Sequence, residues 1–268
     1  MEALRDDTFH RITNLMHAEI GLSFAESKKP LVTSRLSARV QRLGLHSFDE
    51  YVDLISGHEA GGEFQMAVDL LTTNETYFFR EPAHFDLLAR EVMRTKPRRL
   101  SVWSAASSFG DEAYSIAMLL ADLQSQGRMG ADWSVLGTDI SDRVLRSAST
   151  GIYPAERLRH VSTERLKRYC LRGEDESEGL VQIQDRLREH VRFGQLNLCQ
   201  DASCVGPFDV VFLRNVLIYF DAATKRAVVD RVLGRLRPGG LFFIGTAEGR
   251  APCTTPLQPL APGVFRKA

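Results

Sequence analysis

Cysteine is scarce in this 268-residue chain and follows no pattern. Cys170, Cys199, Cys204 and Cys253 form no C-x-x-C pair, and no histidine lies at finger-like spacing from them. A disulfide framework or a structural zinc is therefore not expected, and all four read as small buried hydrophobes in a protein of the reducing cytoplasm. An excess of charge of one sign is also missing: the formal net charge is +0. No whole-molecule field draws the chain to nucleic acid or to a membrane surface, so a charged partner has to be met by a local patch. No apolar run is long enough to span a bilayer. Glu2, Arg5, Asp6 and Asp7 stand where a signal peptide would be apolar. Internal repeats and low-complexity segments are absent. A full G-x-G-x-x-G is absent too, which tells against a dinucleotide pyrophosphate site.

What is present is an ordinary globular mixture, 44% hydrophobic and 25% charged, enough for one or two domains with a sizeable core. The first part reads as helices. Phe9, Ile12, Leu15 and Met16 recur at helical spacing between Asp6 and Ile20, and Pro30 opens an amphipathic helix over Leu31 to Leu43 that Gly44 stops. Phe48 to Ile55 and Phe64 to Leu71 are further short helices. From Arg99 the pattern alternates: strand Arg99 to Ala105, helix Asp111 to Leu120, strand Trp133 to Thr138, buried strand Phe208 to Leu213, helix Thr224 to Leu236 stopped by Pro238-Gly239-Gly240, and strand Leu241 to Gly245. That is the signature of βαβ units and a doubly wound, mostly parallel sheet. The expected division is a small all-helical N-terminal domain at 1–72, a connecting segment and helix at 73–98, and an α/β domain at 99–268. A small antiparallel β insertion is expected at about 160–195. It comprises a helix Ser162 to Leu171, an acidic loop Gly173 to Gly179, and alternating segments Leu180 to Ile183 and His190 to Phe193.

The segment Thr73 to Glu81 mixes Asn74, Thr76 and Arg80 with Tyr77, Phe78 and Phe79. It suits a strap across a small molecule, with aromatic walls and polar groups that fix orientation. Ligands of open α/β sheets bind beyond the carboxyl ends of the strands. Three such ends carry chemistry here. Ser104 to Glu112 is a small-residue turn whose Asp111 and Glu112 disfavour a phosphate and suit a cationic ligand, although an ordinary acidic βα turn reads equally well. Asp139 could hold both hydroxyls of a ribose, although on pattern alone a helix cap is the commoner role. Arg214-Asn215 is a costly polar pair at the end of an apolar strand, which favours a site. A ribose acceptor, an acidic turn and no phosphate cradle fit S-adenosylmethionine better than NAD.

With these residues assembled, the chain resembles chemotaxis receptor methyltransferases of the CheR type. The resemblance rests on Thr72 to Glu81 (TTNETYFFRE), Val102 to Ser115 (VWSAASSFGDEAYS), Gly137 to Ile140 (GTDI), Gly151 to Tyr153 (GIY), Asn197-Leu198, and Phe208 to Asp221 (FDVVFLRNVLIYFD). It covers nearly the whole chain. It implies a fold of the S-adenosylmethionine-dependent methyltransferase type and transfer of methyl groups to glutamate side chains of receptor signalling helices. By matching motifs, Asn74, Thr76, Arg80, Glu112, Asp139, Asn197, Leu198, Arg214 and Asn215 would line the cofactor pocket. Arg80 and Tyr219 would stand nearest the transferred methyl. The chain departs from the family at Phe109, which would add bulk beside the cofactor, and at Gly245-Thr246-Ala247-Glu248, where His-Ser-Glu is frequent. Members that dock a receptor's C-terminal peptide have a glycine-rich insertion loop flanked by arginines. Here Arg172, Gly173 and Gly179 are kept, but the centre is acidic and Gln182 replaces the second arginine, which tells against that peptide as a partner.

The chemistry needs little from the protein beyond placement. A glutamate carboxylate is ionised near neutral pH and requires no general base, so no catalytic histidine, metal or cysteine is expected. Substrate capture is expected from Arg35, Arg39 and Arg42, which share one helix face in a stretch, Lys28 to Leu43, without acidic residues. A solvated charged face is the ordinary alternative. Competing functions are a catalytically weak S-adenosylmethionine or S-adenosylhomocysteine-binding signalling module, an RNA methyltransferase reading phosphates through the basic helix, and an NAD-linked dehydrogenase. The short basic stripe and the missing glycine fingerprint count against the last two.

Overall fold

The computed structural model describes residues 3–57 and 62–268. Four helices come first: α1 Asp6–Ile20, α2 Lys29–Arg42, α3 Phe48–Ser56 and α4 Glu63–Leu71. Each is amphipathic. Phe9, Ile12 and Met16 of α1, Val32, Leu36 and Val40 of α2, Tyr51 of α3 and Val68 of α4 meet in one buried cluster. Each such side chain contributes about 1.5–3 kcal/mol by leaving water. Gly21 ends α1 in a left-handed conformation, φ 73°. A Cβ there would lie 2.5 Å from Cys199 Sγ, so glycine is required where α1 meets the rest of the molecule. Ser47 caps α3 by accepting the Glu50 amide.

After a connecting segment, α5 Pro82–Thr95 leads into β1 Arg99–Ser104, α6 Asp111–Ser125, β2 Asp132–Asp139 and α7 Asp142–Thr150. Then come β3 Ile152–Pro154, α8 Thr163–Tyr169, β4 Cys170–Arg172, β5 Leu180–Ile183, α9 Asp185–Arg188 and β6 Val191–Gln195. The chain finishes with β7 Phe208–Leu213, α10 Ala222–Leu233, β8 Leu236–Ile244, β9 Leu257–Ala261 and β10 Val264–Lys267. Seven strands form one sheet in the order β6-β2-β1-β7-β8-β10-β9, parallel except for the C-terminal hairpin. Strands β3, β5 and β4 form a separate antiparallel sheet. Strand order reverses between β1 and β7, which creates a crevice at their carboxyl ends.

Four sequence expectations are corrected. The strand expected over His190 to Phe193 is β6, and it joins the large sheet beside β2 rather than the insertion. The small sheet takes β3, from Ile152 onward, in its place. The helix expected to reach Leu236 ends at Leu233, and Pro238-Gly239-Gly240 lies inside β8. There the register jumps from Phe208↔Leu236 to Val210↔Leu241, so Pro238 sits in a bulge where no ladder bond is asked of it. The helix expected over Ser162 to Leu171 gives way to strand at Cys170. Cys204 is exposed and the other three cysteines are half-buried, so none is a fully buried hydrophobe.

Candidate active site

A cleft of about 940 Å³, including its mouth, opens at the strand-order reversal. Its floor is the small-residue turn after β1, with Ala105, Ala106 and Ser108. The connecting segment from Thr72 to Arg80 forms a strap along one side, and Ile20 and Leu22, at the end of α1, close another. Asn74, Thr76, Arg80, Glu112, Asp139, Asn197, Leu198, Arg214, Asn215 and Tyr219 all line this one cleft. The volume is in the range of about 300–1,000 Å³ that suits a small-molecule ligand.

Asp139 ends β2 and is buried. Its carboxylate accepts the Ser108 amide at 2.9 Å and the Ser141 amide at 3.0 Å, tying the first two βα turns together. Burial raises its pKa in spite of these bonds, and the nearby Asp69 adds to the rise. A carboxylate has about four acceptor sites, so Asp139 keeps capacity for further donors such as ribose hydroxyls. Ser141, not Asp139, occupies the N-cap of α7, and its side chain makes no capping bond.

The acidic first turn is electrically satisfied. Asp111 is fully buried and pairs bidentately with Arg157 at 2.8 and 3.0 Å, pointing away from the cleft. Burial still holds the Asp111 carboxyl above its usual range. Glu112 accepts Ser104 Oγ at 2.6 Å and Arg214 Nε at 2.6 Å. Of the two carboxylates that open α6, Glu112 lines the cleft and is internally paired, and Asp111 lies outside it. The Arg214 side chain is 2% exposed, and it also donates to the Arg80 carbonyl at 2.8 Å and to His84 Nδ1 at 3.2 Å. An unpaired guanidinium at such depth costs several kcal/mol, which explains why Arg214 and Glu112 come as a unit.

Backbone strain gathers around the cleft. Phe79, Glu81, Ser108 and Asn215 all have positive φ, between 50° and 59°. Non-glycine residues hold such angles only where surroundings over-determine them. At Asn215 the surroundings are Glu248, a residue that sequence reasoning did not select. Its carboxylate accepts the amides of Asn215 (2.9 Å), Leu217 (2.8 Å) and Gly245 (2.7 Å), fixing the loop that carries Tyr219. Burial raises the Glu248 carboxyl against those bonds. The acid at the end of an apolar strand was the available signal, and its partners are backbone groups with no trace in the sequence.

The strap differs from expectation. Tyr77, Phe78 and Phe79 do not line the cleft; each meets a partner in the stretch from β3 to α8. Tyr77 packs on His160 (5.0 Å), Phe78 meets Tyr153 edge-on (5.1 Å), and Arg165 lies 4.5 Å over Phe79. The three aromatics therefore anchor the strap, while Asn74, Thr76 and Arg80 turn to the cleft. Asn74 receives Ser108 Oγ on its carbonyl at 3.1 Å, and Arg80 donates to the Glu75 carbonyl at 3.1 Å. Phe109 is also outside the cleft, with Arg157 stacked 4.5 Å over its ring. It adds no bulk beside a ligand, contrary to the expectation. Asn197 spends its amide on the Glu19 carbonyl (2.7 Å), and Tyr219 accepts the Ser23 amide on its carbonyl (2.9 Å), so two cleft residues also hold α1 to the sheet.

The α2 arginines are separated in role. Arg35 donates to the carbonyls of Leu71 (2.7 Å) and Thr72 (3.2 Å) and to Thr73 Oγ1 (2.9 Å). Arg39 makes a two-pronged pair with Glu63, and the Tyr51 hydroxyl joins it. Arg42 is exposed, without an ion pair among the described residues. Lys29 pairs with Asp6. The expected free basic stripe is thus corrected to a face whose central cations are already engaged.

Two family models match the chain. That of the CheR methyltransferase all-alpha domain matches residues 7–72, and that of the CheR methyltransferase SAM binding domain matches residues 74–255. The chemotaxis protein methyltransferase of Escherichia coli (strain K12) is 42% identical over 247 residues, covering 92% of this chain and 85% of that protein. Chemotaxis protein methyltransferase 2 of Pseudomonas aeruginosa is 42% identical over 249 residues, covering 91% and 86%. Among solved structures, the glycopeptide N-methyltransferase MtfA complexed with (S)-adenosyl-L-methionine aligns with a TM-score of 0.35 at 20% identity, covering 67% of this chain and 63% of that one.

Proposed function

The chain belongs to the CheR methyltransferase family, and from that premise we propose that it methylates glutamate side chains on the cytoplasmic helices of chemoreceptors, giving methyl esters. Its cofactor is S-adenosylmethionine, and S-adenosylhomocysteine is the product. The observation that carries the proposal is the convergence of ten motif residues, from Asn74 to Tyr219, on one cleft at the carboxyl ends of β1, β2 and β7.

The cleft fits this cofactor. The Asp139 carboxylate, with acceptor capacity left over, would take the ribose hydroxyls. Asn74, Thr76 and Asn215 would orient polar ends of the ligand, and the neutral Glu112–Arg214 pair fixes the wall without opposing a cation. When bound, S-adenosylmethionine supplies a methyl group activated by its sulfonium. The acceptor carboxylate is already ionised near neutral pH, so the protein need only orient it and exclude water. Arg80, on the strap, would hold that carboxylate in line. Its existing bond to the Glu75 carbonyl moderates the pairing, which matters because a salt bridge too strong in the ground state slows attack. Tyr219 would donate its phenolic hydrogen to the same carboxylate.

The test is incubation with methyl-labelled S-adenosylmethionine and a soluble chemoreceptor cytoplasmic fragment. Label released as methanol in mild base, and lost when receptor glutamates become glutamines, is expected. Label that resists base overturns the ester. A cofactor-binding module without turnover would bind the cofactor and leave the fragment unlabelled. Phe109, one of the two departures from the family pattern, lies outside the cleft and gives that reading no support.

A further inference from the structure

We propose that a second groove, on the outer side of the strap, receives the methyl-accepting segment as an acidic α-helix, with Arg159 reading its charge. The proposal rests on the glutamate methyltransferase reading. The groove has a volume of about 1240 Å³ and runs between the strap and the segment after β3. Asn74, Glu75, Thr76 and Arg80 wall both this groove and the cofactor cleft. Methyl transfer requires two ligands that meet in line at one point, and a shared wall one residue thick is where two cavities can meet. Arg80 belongs to that wall.

Size and the supply of arginines both favour this groove. A helix of about 10 Å diameter occupies roughly 420 Å³ per turn, so the groove, mouth included, accommodates two to three turns. Another groove also borders the cleft, sharing Ile20, Ile140, Leu196 and Asn197. It measures about 620 Å³, is lined by Glu19 and three glutamines, and has no arginine. It offers an acceptor carboxylate no cationic partner. The larger groove carries two acids, Glu75 and the exposed Glu156, beside three arginines, of which Arg157 is committed to Asp111. Arg159 is exposed and makes one side-chain bond, to His160 at 3.1 Å. It is therefore the cation open to an acidic side chain one turn or more from the acceptor glutamate. Tyr77, packed 5.0 Å from His160, gives the groove an aromatic border. The central cations of α2, by contrast, already have internal partners.

The experiment compares the wild type with Arg159→Glu and Arg42→Glu, using a soluble chemoreceptor cytoplasmic fragment with glutamates at its methyl-accepting positions. Arg159→Glu is expected to raise KM for the fragment about tenfold or more. Its kcat at saturation and its S-adenosylmethionine Kd should stay near wild type, since Arg159 lies outside the cleft and at the surface. Fragments with a lysine in place of an acidic residue flanking the acceptor should recover part of the loss. An unchanged KM in Arg159→Glu, or a rise confined to Arg42→Glu, overturns the groove assignment while leaving methyl-ester formation intact. A wild type that makes no base-labile ester removes the underlying reading and the groove with it.

Discussion

Arg80 stands where two cavities meet, and its neighbours have already committed their charges. Arg214 is bound to Glu112, Arg157 to Asp111, and Arg165 covers Phe79. Arg80 keeps one weak commitment, to the Glu75 carbonyl, and a distant contact over Tyr77 at 5.9 Å. It is the cation of the cleft with donors to spare. Arg80→Ala is therefore expected to lower kcat for methyl transfer by about 10²–10³, the range for loss of one positioned donor. S-adenosylmethionine Kd, measured by calorimetry, should change by only a few fold. A mutant with full turnover would demote the strap to a linker. The cleft-lining residues of the strap were legible because Asn, Thr and Arg around aromatics have few structural uses. The role of the aromatics was not, because their partners, His160, Tyr153 and Arg165, lie more than seventy residues away and form no local pattern.

At the scale of elements, helix and strand periods carried most of the fold. Helix α1 and strand β7 have the ends that periodicity and burial predict, because each presents an uninterrupted apolar pattern to one core. The C-terminal hairpin had no such signal: β9 is an edge strand, half exposed and interrupted by Pro259. A Pro-Gly-Gly reads as a helix stop in sequence and serves as a bulge in β8, since only pairing with β7 distinguishes the two. Helix α2 was legible as a helix but not in its purpose. Its Arg35 guanidinium clamps Leu71, Thr72 and Thr73, the hinge from which the strap departs, and Asn74 then bonds to Thr72 Oγ1 at 3.2 Å. Reversing Arg35 and Arg39 to Glu would place carboxylates against two carbonyls and against Glu63. The sequence alone would have this pair of changes weaken receptor capture and spare the cofactor. The hydrogen bonds now predict loss of both, with S-adenosylmethionine affinity falling about tenfold or more as the strap loosens and stability dropping by roughly 2–5 kcal/mol. Equilibrium dialysis with the cofactor and a denaturant titration check it. Unchanged cofactor affinity would show that the strap does not depend on α2.

Taken as a whole, the molecule is held together where its functional cleft lies, and one histidine reports on that junction. His84 of α5 is buried beside Arg214 at the end of β7, Glu81 at the end of the strap, and Pro262 in the hairpin turn. Arg214 can only donate, so His84 Nδ1 is the acceptor and Nε2 donates to the Pro262 carbonyl at 3.2 Å; the ring is neutral. Burial and then the Arg214 charge lower its pKa, outweighing Pro262, Glu81 and Glu112, which act to raise it. The unfolded chain thus takes up this proton at a higher pH than the folded one. His84 favours the fold fully above about 6.5, its unfolded value, and that contribution is lost as pH falls from there through the lowered folded value. Asp111, Asp139 and Glu248, whose carboxyls are raised by burial, act in the opposite sense, gaining stability as they protonate in the fold. Those carboxyls are common to the wild type and to His84→Gln, so the difference between the two proteins isolates the histidine. The thermal midpoint is expected to fall on acidification from pH 7 to about 5.5, and the fall should shrink in His84→Gln. Glutamine can still accept from Arg214 and donate toward Pro262, but it takes no proton. Equal slopes for the two proteins over that interval would show that the histidine keeps its proton equilibrium on folding, and that Arg214 is balanced by its carboxylates alone.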